Sequence, residues 1–197
     1  MRSPVLLWSM IVFLLYAGVA AGTGAWAFTY LAEERGISDG VAGIVVTGYW
    51  AAFTASRFVL SAIGERVTPN AILAMSGPAT VCGFAIFWWA PTEAIGLAAL
   101  IFTGFAHGPV FPLEVLLTPR RFGAALTATV VGYEIGAANI GGAIIPGGIG
   151  LLVGAVGLTV VPGFLFVNGV LLWAAIRALR AASDRSVRSI ATGAEIT

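Results

Sequence analysis

The feature that most constrains this chain is a series of six apolar stretches, each long enough to cross a lipid bilayer as a helix. Residues 3–32 carry no charged side chain, and neither do residues 135–176. Because about 20 apolar residues span the hydrocarbon core as a helix, the second run is long enough for two crossings, with a break at Gly154 and Gly157. The sequence therefore predicts an all-α polytopic membrane protein.

The composition excludes several other classes of protein. Hydrophobic residues make up 59% of the chain and charged residues 10%, whereas soluble domains carry about 25% charged residues. The alternating ten-residue segments of a membrane β-barrel are missing, and no basic patch indicates a nucleic acid partner. One histidine and one cysteine provide no metal cluster, and no nucleotide-binding or protease signature is apparent. We therefore predict no enzyme activity and no cofactor, and the lipid bilayer as the surroundings.

Short turns rich in glycine, proline and charged residues separate the apolar stretches. The predicted spans are residues 4–31, 41–63, 71–89, 94–117, 124–153 and 158–179. Residues 1–180 are thus predicted to form one six-helix transmembrane domain, and residues 181–197 a polar, disordered cytoplasmic tail. The beginning of the chain also resembles a signal peptide, but its charge-free run is too long for a typical one.

The arginines predict the orientation, because cytoplasmic loops of membrane proteins are enriched in basic residues. On the opposite side, the loops between spans hold only Arg35. Eight arginines fall on one side of the predicted membrane: Arg2, Arg66, Arg120, Arg121, Arg177, Arg180, Arg185 and Arg188. We expect a multi-pass protein of the cell (inner) membrane with both termini in the cytoplasm.

The two halves of the chain share short similar segments. Residues 18–22 in the first span match residues 104–108 in the fourth, and residues 45–49 in the second match residues 129–133 in the fifth. A repeat of three spans must be inverted in the membrane, as in many transporters. The sequence predicts a 3+3 inverted repeat, although helices rich in glycine and alanine also match by chance.

The charged and amide side chains inside the second and fifth spans are Arg57, Glu134 and Asn139. Glu134 is about three turns into the fifth span, too deep to reach water easily, and Asn139 follows five residues later. Arg57 is about two turns from the cytoplasmic end of the second span. Ionisable groups at such depths cost several kcal/mol unless they are paired or hydrated. We expect Glu134 to face a cavity and to carry a coupling proton, and Arg57 either to bind an anionic group there or to reach the cytoplasmic interface.

The fourth span contributes two further titratable residues. Glu114 lies near its cytoplasmic end, where it is a second candidate for proton coupling or a structural partner of Arg57 or Arg120. His107 lies near the middle of the same span. Histidine titrates near neutral pH, so His107 is a candidate binding residue, with a packed, hydrogen-bonded side chain as the alternative.

Aromatic residues near the middle of the second and fifth spans are candidates for substrate contacts. Tyr49, Trp50 and Tyr133 could line a site and stack on a sugar-like ring. Aromatic residues also pack in cores and form belts at the membrane interface, which is the alternative for all three.

The fifth span is rich in small residues. Gly136 and Gly141 are predicted to bring a neighbouring backbone close, as small residues do in membrane helix packing. Pro146 and the glycines beside it weaken the helix. The segment is either a tightly packed helix or one that bends during a conformational cycle.

Four segments of the chain carry a resemblance to a known family, namely residues 16–31, 48–57 with 64–66, 104–112 and 141–146. Together they resemble one six-helix half of a major facilitator superfamily transporter, most closely the C-terminal half. Residues 16–31 resemble the seventh helix of fucose-permease-like (sugar-permease-like) members, residues 48–57 with 64–66 resemble the superfamily's signature helix and loop, residues 104–112 resemble the tenth helix and residues 141–146 the eleventh. One departure is Ala20, where many relatives carry a glutamate. The resemblance implies half of a major-facilitator fold, with spans 1, 2, 4 and 5 along a substrate path and spans 3 and 6 peripheral.

Since superfamily members have two such halves, the resemblance also implies a partner, either a second copy or a separate chain. The predicted function is a secondary active transporter (a symporter) of a small polar organic solute, working by alternating access as a homodimer of six-helix halves. Substrate contacts are predicted for Tyr49, Trp50, Arg57, His107, Tyr133 and Asn139, and proton coupling for Glu134 and Glu114. The alternatives are a non-transporting membrane subunit or remnant half, and a multidrug-type exporter.

Overall fold

The computed structural model describes residues 4–63 and 66–194, and within this part of the chain it contains helices and no strand. Arg2, which is predicted to lie on the cytoplasmic side, falls outside the described residues, as do residues 64–65 and 195–197. The helices are α1 (Pro4–Thr29, extended by a π-helical turn at Tyr30–Glu34), α2 (Asp39–Ile63), α3 (Pro69–Trp89), α4 (Glu93–His107), α5 (Val110–Phe122), α6 (Ala124–Val156) and α7 (Val160–Ala194).

Six helical segments of the described chain are long and apolar enough to cross a membrane. They cover Pro4–Glu34, Asp39–Ala62, Pro69–Trp89, Glu93–Phe122, Ala124–Val156 and Val160–Ser186. The prediction of an all-α protein with six spans is therefore confirmed. The two spans inside the long charge-free run separate at Gly157, whose φ of 87° is a conformation that glycine adopts at little cost.

The fourth span is broken in the middle, which the sequence analysis did not anticipate. Helix α4 ends at His107 and α5 begins at Val110, with Gly108 and Pro109 between them. Proline lacks a backbone N–H and clashes with the carbonyl of the preceding turn. Pro112 likewise cannot donate to the Gly108 carbonyl one turn before it. The break therefore leaves the Gly108 oxygen free for another donor.

The main helix contacts arrange the spans in an arc, and a smaller contact between α5 and α6 closes it on the side of α5. Helix α1 packs against α6 and α7, α3 against α4 and α7, and α2 against α4. The second and fifth spans, at the two ends of this arc, bury only 22% and 17% of their membrane-spanning windows, against 39–56% for the other four. An open cavity lies between these two ends.

Glycines allow the closest helix contacts. A Cβ on Gly141 of α6 would overlap the backbone carbonyl of Leu14 in α1, and a Cβ on Gly104 of α4 would overlap the carbonyl of Tyr49 in α2. The close approach predicted for Gly141 is present. The one predicted for Gly136 is wrong, because open space surrounds that position.

The last helix is longer than the sequence suggested. Helix α7 continues to Ala194, so residues 181–194 of the predicted disordered tail are helical, and that expectation is corrected. In this part of the helix the Ser183 hydroxyl donates to the Leu179 carbonyl at 2.9 Å, and the Arg185 Nε donates to the Ala181 carbonyl at 3.2 Å.

Candidate functional site

The cavity at the open side of the arc has a volume of about 640 Å³. This size is typical of small-molecule sites. Four helices contribute to it, namely α1, α2, α5 and α6, which belong to spans 1, 2, 4 and 5. The lining residues are Tyr16, Ala17, Ala20, Ala21, Trp50, Phe53, Arg57, Phe111, Ala138, Asn139, Gly142 and Ala143.

Three of the six predicted substrate contacts line this cavity: Trp50, Arg57 and Asn139. Trp50, Phe53 and Arg57 are spaced three and four residues apart, which places them on one face of α2. Asn139 stands on the facing wall, on α6, beside Ala138.

The other three predicted contacts lie elsewhere. Tyr49 and His107 have no exposed surface and lie outside the lining of the cavity, and Tyr133 is 45% exposed on another face of α6. Successive helical residues are turned by about 100°, so Tyr49 cannot face the cavity together with Trp50. The structure does not bring these three residues to the cavity, so the sequence-based grouping is corrected for them.

Arg57 is held with its guanidinium group against the wall of the cavity. Its Nε donates to the free Gly108 carbonyl at 3.3 Å, and its Nη2 donates to the Tyr16 hydroxyl at 2.9 Å. The guanidinium carbon lies 4.5 Å from the centre of the Phe53 ring. Side chains lean toward the N-terminus of their helix, which carries this group away from the nearer end of α2. These contacts favour the binding role of Arg57 over a position at the membrane interface, and that role stays a prediction.

Tyr16 connects Arg57 to His107, and the sequence analysis did not select it. Its ring stacks on the His107 imidazole, with centroids 4.4 Å apart and planes 18° apart. The Nε2 atom of His107 lies 3.1 Å from the Tyr16 carbonyl oxygen. Because a carbonyl oxygen only accepts, Nε2 carries the hydrogen, and Nδ1 is buried without a partner among the described residues. His107 thus has a packed, hydrogen-bonded side chain, which is the alternative to a direct binding role.

Glu134 lies in a separate buried cluster. Its side chain has no exposed surface and accepts hydrogen bonds from the hydroxyl of Ser9 on α1 and, at 3.1 Å to each carboxylate oxygen, from the hydroxyl of Thr118 on α5. Residues five positions apart on a helix are turned by about 140°, so Glu134 and Asn139 do not share a face. The expectation that Glu134 faces the cavity is therefore wrong.

Glu114 is adjacent to this cluster and pairs with a different arginine from the one expected. Its carboxylate binds the Arg121 guanidinium at 2.5 Å, and both side chains are largely buried, with 1% and 8% exposed. The predicted partners, Arg57 and Arg120, form no ion pair with it among the described residues. The Thr118 hydroxyl also lies 3.1 Å from the Glu114 carbonyl oxygen, and its single hydrogen is shared between this oxygen and the Glu134 carboxylate.

The arrangement has two chemical capacities. The cavity presents one cation and one amide among aromatic and small side chains, which can bind a small solute. The cluster around Glu134 holds two carboxyl groups near one arginine, which can bind and release a proton. Within the described residues, no group of three or more potential ligands could hold a metal ion.

Comparison with known proteins identifies the family. The family model of the Major Facilitator Superfamily matches residues 1–146, about three quarters of the chain. "Bypass of stop codon protein 6" of Saccharomyces cerevisiae is 24% identical over 172 residues, which cover 82% of this chain and 35% of the yeast protein. The chain thus spans about a third of the length of this curated relative. The chain belongs to the Major Facilitator Superfamily, whose members are membrane transporters and not enzymes.

Proposed function

We propose that this protein is a secondary active transporter of a small polar organic solute, a sugar or another metabolite. It is proton-coupled and works by alternating access as a homodimer of six-helix halves in the cell membrane. The observation that carries the proposal is the open cavity between α2 and α6, which holds Arg57 and Asn139 at membrane depth in a member of a transporter family.

The position of Arg57 supports a solute path. A charged side chain facing lipid at this depth is costly, so such residues face a cavity or a partner. Arg57 forms no ion pair with a carboxylate of the described residues, and its charge is directed into the cavity. A water-filled path used by a polar solute accounts for a charge in this position.

The cluster around Glu134 supports proton coupling. The carboxyl group joins α1, α5 and α6 through Ser9 and Thr118. Uptake of a proton removes one negative charge from this contact and changes which hydrogen bonds the carboxyl group can make. Because α1 and α6 also line the cavity, such a change acts on the same helices as the solute. Glu114 takes the secondary role, since Arg121 already neutralises it.

The exposed sides of α2 and α6 support a second half. These helices carry the cavity between them and are the least buried of the spans. A second six-helix unit placed against them would enclose the cavity. An identical copy with both termini in the cytoplasm provides such a unit, related by a twofold axis along the membrane normal.

The multidrug-type exporter has less support. An exporter of apolar drugs would be favoured by a predominantly apolar cavity with Glu134 as its only charge, whereas Glu134 is outside the cavity and Arg57 lines it. The lining therefore favours a solute with a polar or anionic group.

Proton flux in proteoliposomes tests the proposal. The purified chain is reconstituted with a pH-sensitive dye inside, and solutes from a panel of neutral sugars and small organic anions are added outside. We expect at least one solute to move protons only in vesicles that contain protein. Glu134→Gln should abolish the proton flux and keep solute exchange, because the amide preserves the size of the side chain but cannot bind a proton.

The matched control is Glu93→Gln, an exposed glutamate in the first turn of α4, far from the cluster in sequence and in structure. It should behave like the unaltered protein. Equal proton flux in the Glu134 and Glu93 variants would contradict the proton-coupling role. If no solute of the panel moves in any vesicle, the transporter proposal fails.

A further inference from the structure

We propose that the cavity selects small organic anions that carry an apolar, preferably aromatic, body, with a carboxylate as the group bound by Arg57. This inference rests on the proposed transport function and narrows its substrate class: among sugars and other metabolites, it favours organic acids over sugars. Three features of the lining carry it.

The first feature is the unused hydrogen-bonding capacity of Arg57. A guanidinium group has five N–H donors, and the described structure occupies two, at the Gly108 carbonyl and the Tyr16 hydroxyl. The remaining three have no hydrogen-bond partner among the described residues and belong to the end of the side chain that lines the cavity. A carboxylate matches two such donors at once. The Tyr16 hydroxyl accepts from Arg57, so its own hydrogen is also available to an anion.

The second feature is that Arg57 is fixed before any solute binds. The Phe53 ring lies beneath the guanidinium, and the Gly108 carbonyl and Tyr16 hydroxyl orient it. Tyr16 is itself fixed by its stacking on His107. A guanidinium group that is already held in its binding geometry loses little conformational entropy when it binds an anion. His107 acts here as a positioning residue, since it reaches the anion only through Tyr16.

The third feature is the apolar character of the rest of the lining. Trp50, Phe53 and Phe111 contribute aromatic surface, and the facing wall consists of alanine and glycine apart from Asn139. The transfer of a phenyl ring or alkyl chain from water to such a surface is favourable in free energy. A sugar would find few partners for its hydroxyl groups there, and a polar group that leaves water without a new partner weakens binding.

Charge excludes the opposite class of solute. The lining contains one arginine and no carboxylate, and the two buried glutamates lie in the separate cluster with Ser9 and Thr118. An organic cation would meet repulsion from Arg57 and find no counter-charge. The sign of the site is therefore positive, and a singly charged anion neutralises it.

Binding to the purified chain in mild detergent tests this selectivity without a transport assay. The probes are benzoate, its neutral amide benzamide, acetate and glucose, measured by calorimetry. We expect benzoate to bind at least about tenfold more tightly than benzamide, because a charged bidentate hydrogen bond contributes about 1.5–3 kcal/mol. We expect a similar preference over acetate, because burial of an aromatic ring contributes about as much. Glucose should bind more weakly than benzoate.

Two substitutions of Arg57 and one control locate the effect. Arg57→Gln should remove the preference for benzoate over benzamide. Arg57→Lys should retain part of this preference, because lysine keeps the positive charge but cannot form the bidentate hydrogen bonds of a guanidinium group. The control is Arg177→Gln, which removes another arginine lying over an aromatic ring, that of Trp173 at 5.7 Å, outside this cavity. It should bind all four probes like the unaltered chain.

The results separate this inference from the proposal that it narrows. Equal binding of benzoate and benzamide, tighter binding of glucose, or no binding of benzoate would overturn the anion preference, even if the vesicles transport another solute. Benzoate binding that depends on Arg57, in a protein that moves no solute across vesicles, would support the anion site and contradict the transport function.

Discussion

At the scale of residues, we expect loss of the ion pair between Glu114 and Arg121 to lower the stability of the protein most. Both side chains are nearly excluded from solvent, so removal of one partner leaves the other charge buried and unpaired. Arg121→Gln should lower the free energy of unfolding by about 3–5 kcal/mol, measured by denaturation in mild detergent. The matched control is Arg120→Gln, which removes the exposed arginine next to it and should have little effect.

A double substitution shows whether the buried charge is the cause. Replacement of both Glu114 and Arg121 by glutamine removes the pair without leaving a lone charge, and it should recover part of the stability that Arg121→Gln loses. Equal loss from Arg120→Gln and Arg121→Gln would contradict the role of the pair.

The sequence could predict which residues are polar at depth, but not which of them meet. Glu114, Glu134 and Arg57 stand out because charges in apolar helices are rare. Their partners depend on how helices are rotated against each other, which no single helix specifies. The face of α2 that carries Trp50 and Arg57 could have been found from their seven-residue spacing. Tyr16 carries no such signal, because an aromatic residue in an apolar span is ordinary.

Among the helices, the contact between α1 and α6 depends on Gly141. A methyl group at this position would overlap the Leu14 carbonyl, and backbone in a packed helix cannot move aside. Gly141→Ala should therefore destabilise the fold by about 1–3 kcal/mol and separate the two helices that form one side of the cavity. The measurement is thermal unfolding in detergent.

Gly136 provides the control on the same helix. No atom of the same chain lies within 4 Å of a Cβ at this position, so Gly136→Ala should leave the fold of one chain unchanged or stabilise the helix by up to about 1 kcal/mol, because alanine favours helix more than glycine does. Destabilisation of the same size by both substitutions would contradict the close contact at Gly141.

The broken fourth span shows where patterns in the sequence stop being sufficient. Its hydropathy predicts one continuous helix, and the structure has two, α4 and α5. Pro109 and Pro112 remove two donors within one turn, which could have indicated the break. Its consequence could not be predicted, because the donor that satisfies the Gly108 carbonyl comes from Arg57, 51 residues away in the chain.

For the whole molecule, the order of helix contacts supports the predicted inverted repeat, which stays a prediction. If the first three spans correspond to the last three, the contact between spans 1 and 5 corresponds to that between spans 4 and 2, and both pairs pack. The contacts of span 3 with span 4 and of span 6 with span 1 correspond in the same way. Number, length and order of the spans could be read from hydropathy, whereas the open side of the arc became visible only when the helices were packed.

The last prediction concerns what covers the open side. If two copies associate through α2 and α6, a cysteine at Gly136, which lies exposed on α6, should face the second copy near the twofold axis. We expect Gly136→Cys in a Cys82→Ser background to form covalent dimers with a short bismaleimide crosslinker. The unaltered chain carries the exposed Cys82 on α3, a helix at the other side of the arc. The same crosslinker should therefore leave the unaltered chain monomeric on denaturing gels.

Native mass spectrometry in mild detergent should show dimers of both proteins before crosslinking. Monomers at all concentrations would contradict the homodimer and favour a subunit that requires a different chain, while crosslinking through Cys82 alone would move the interface to α3.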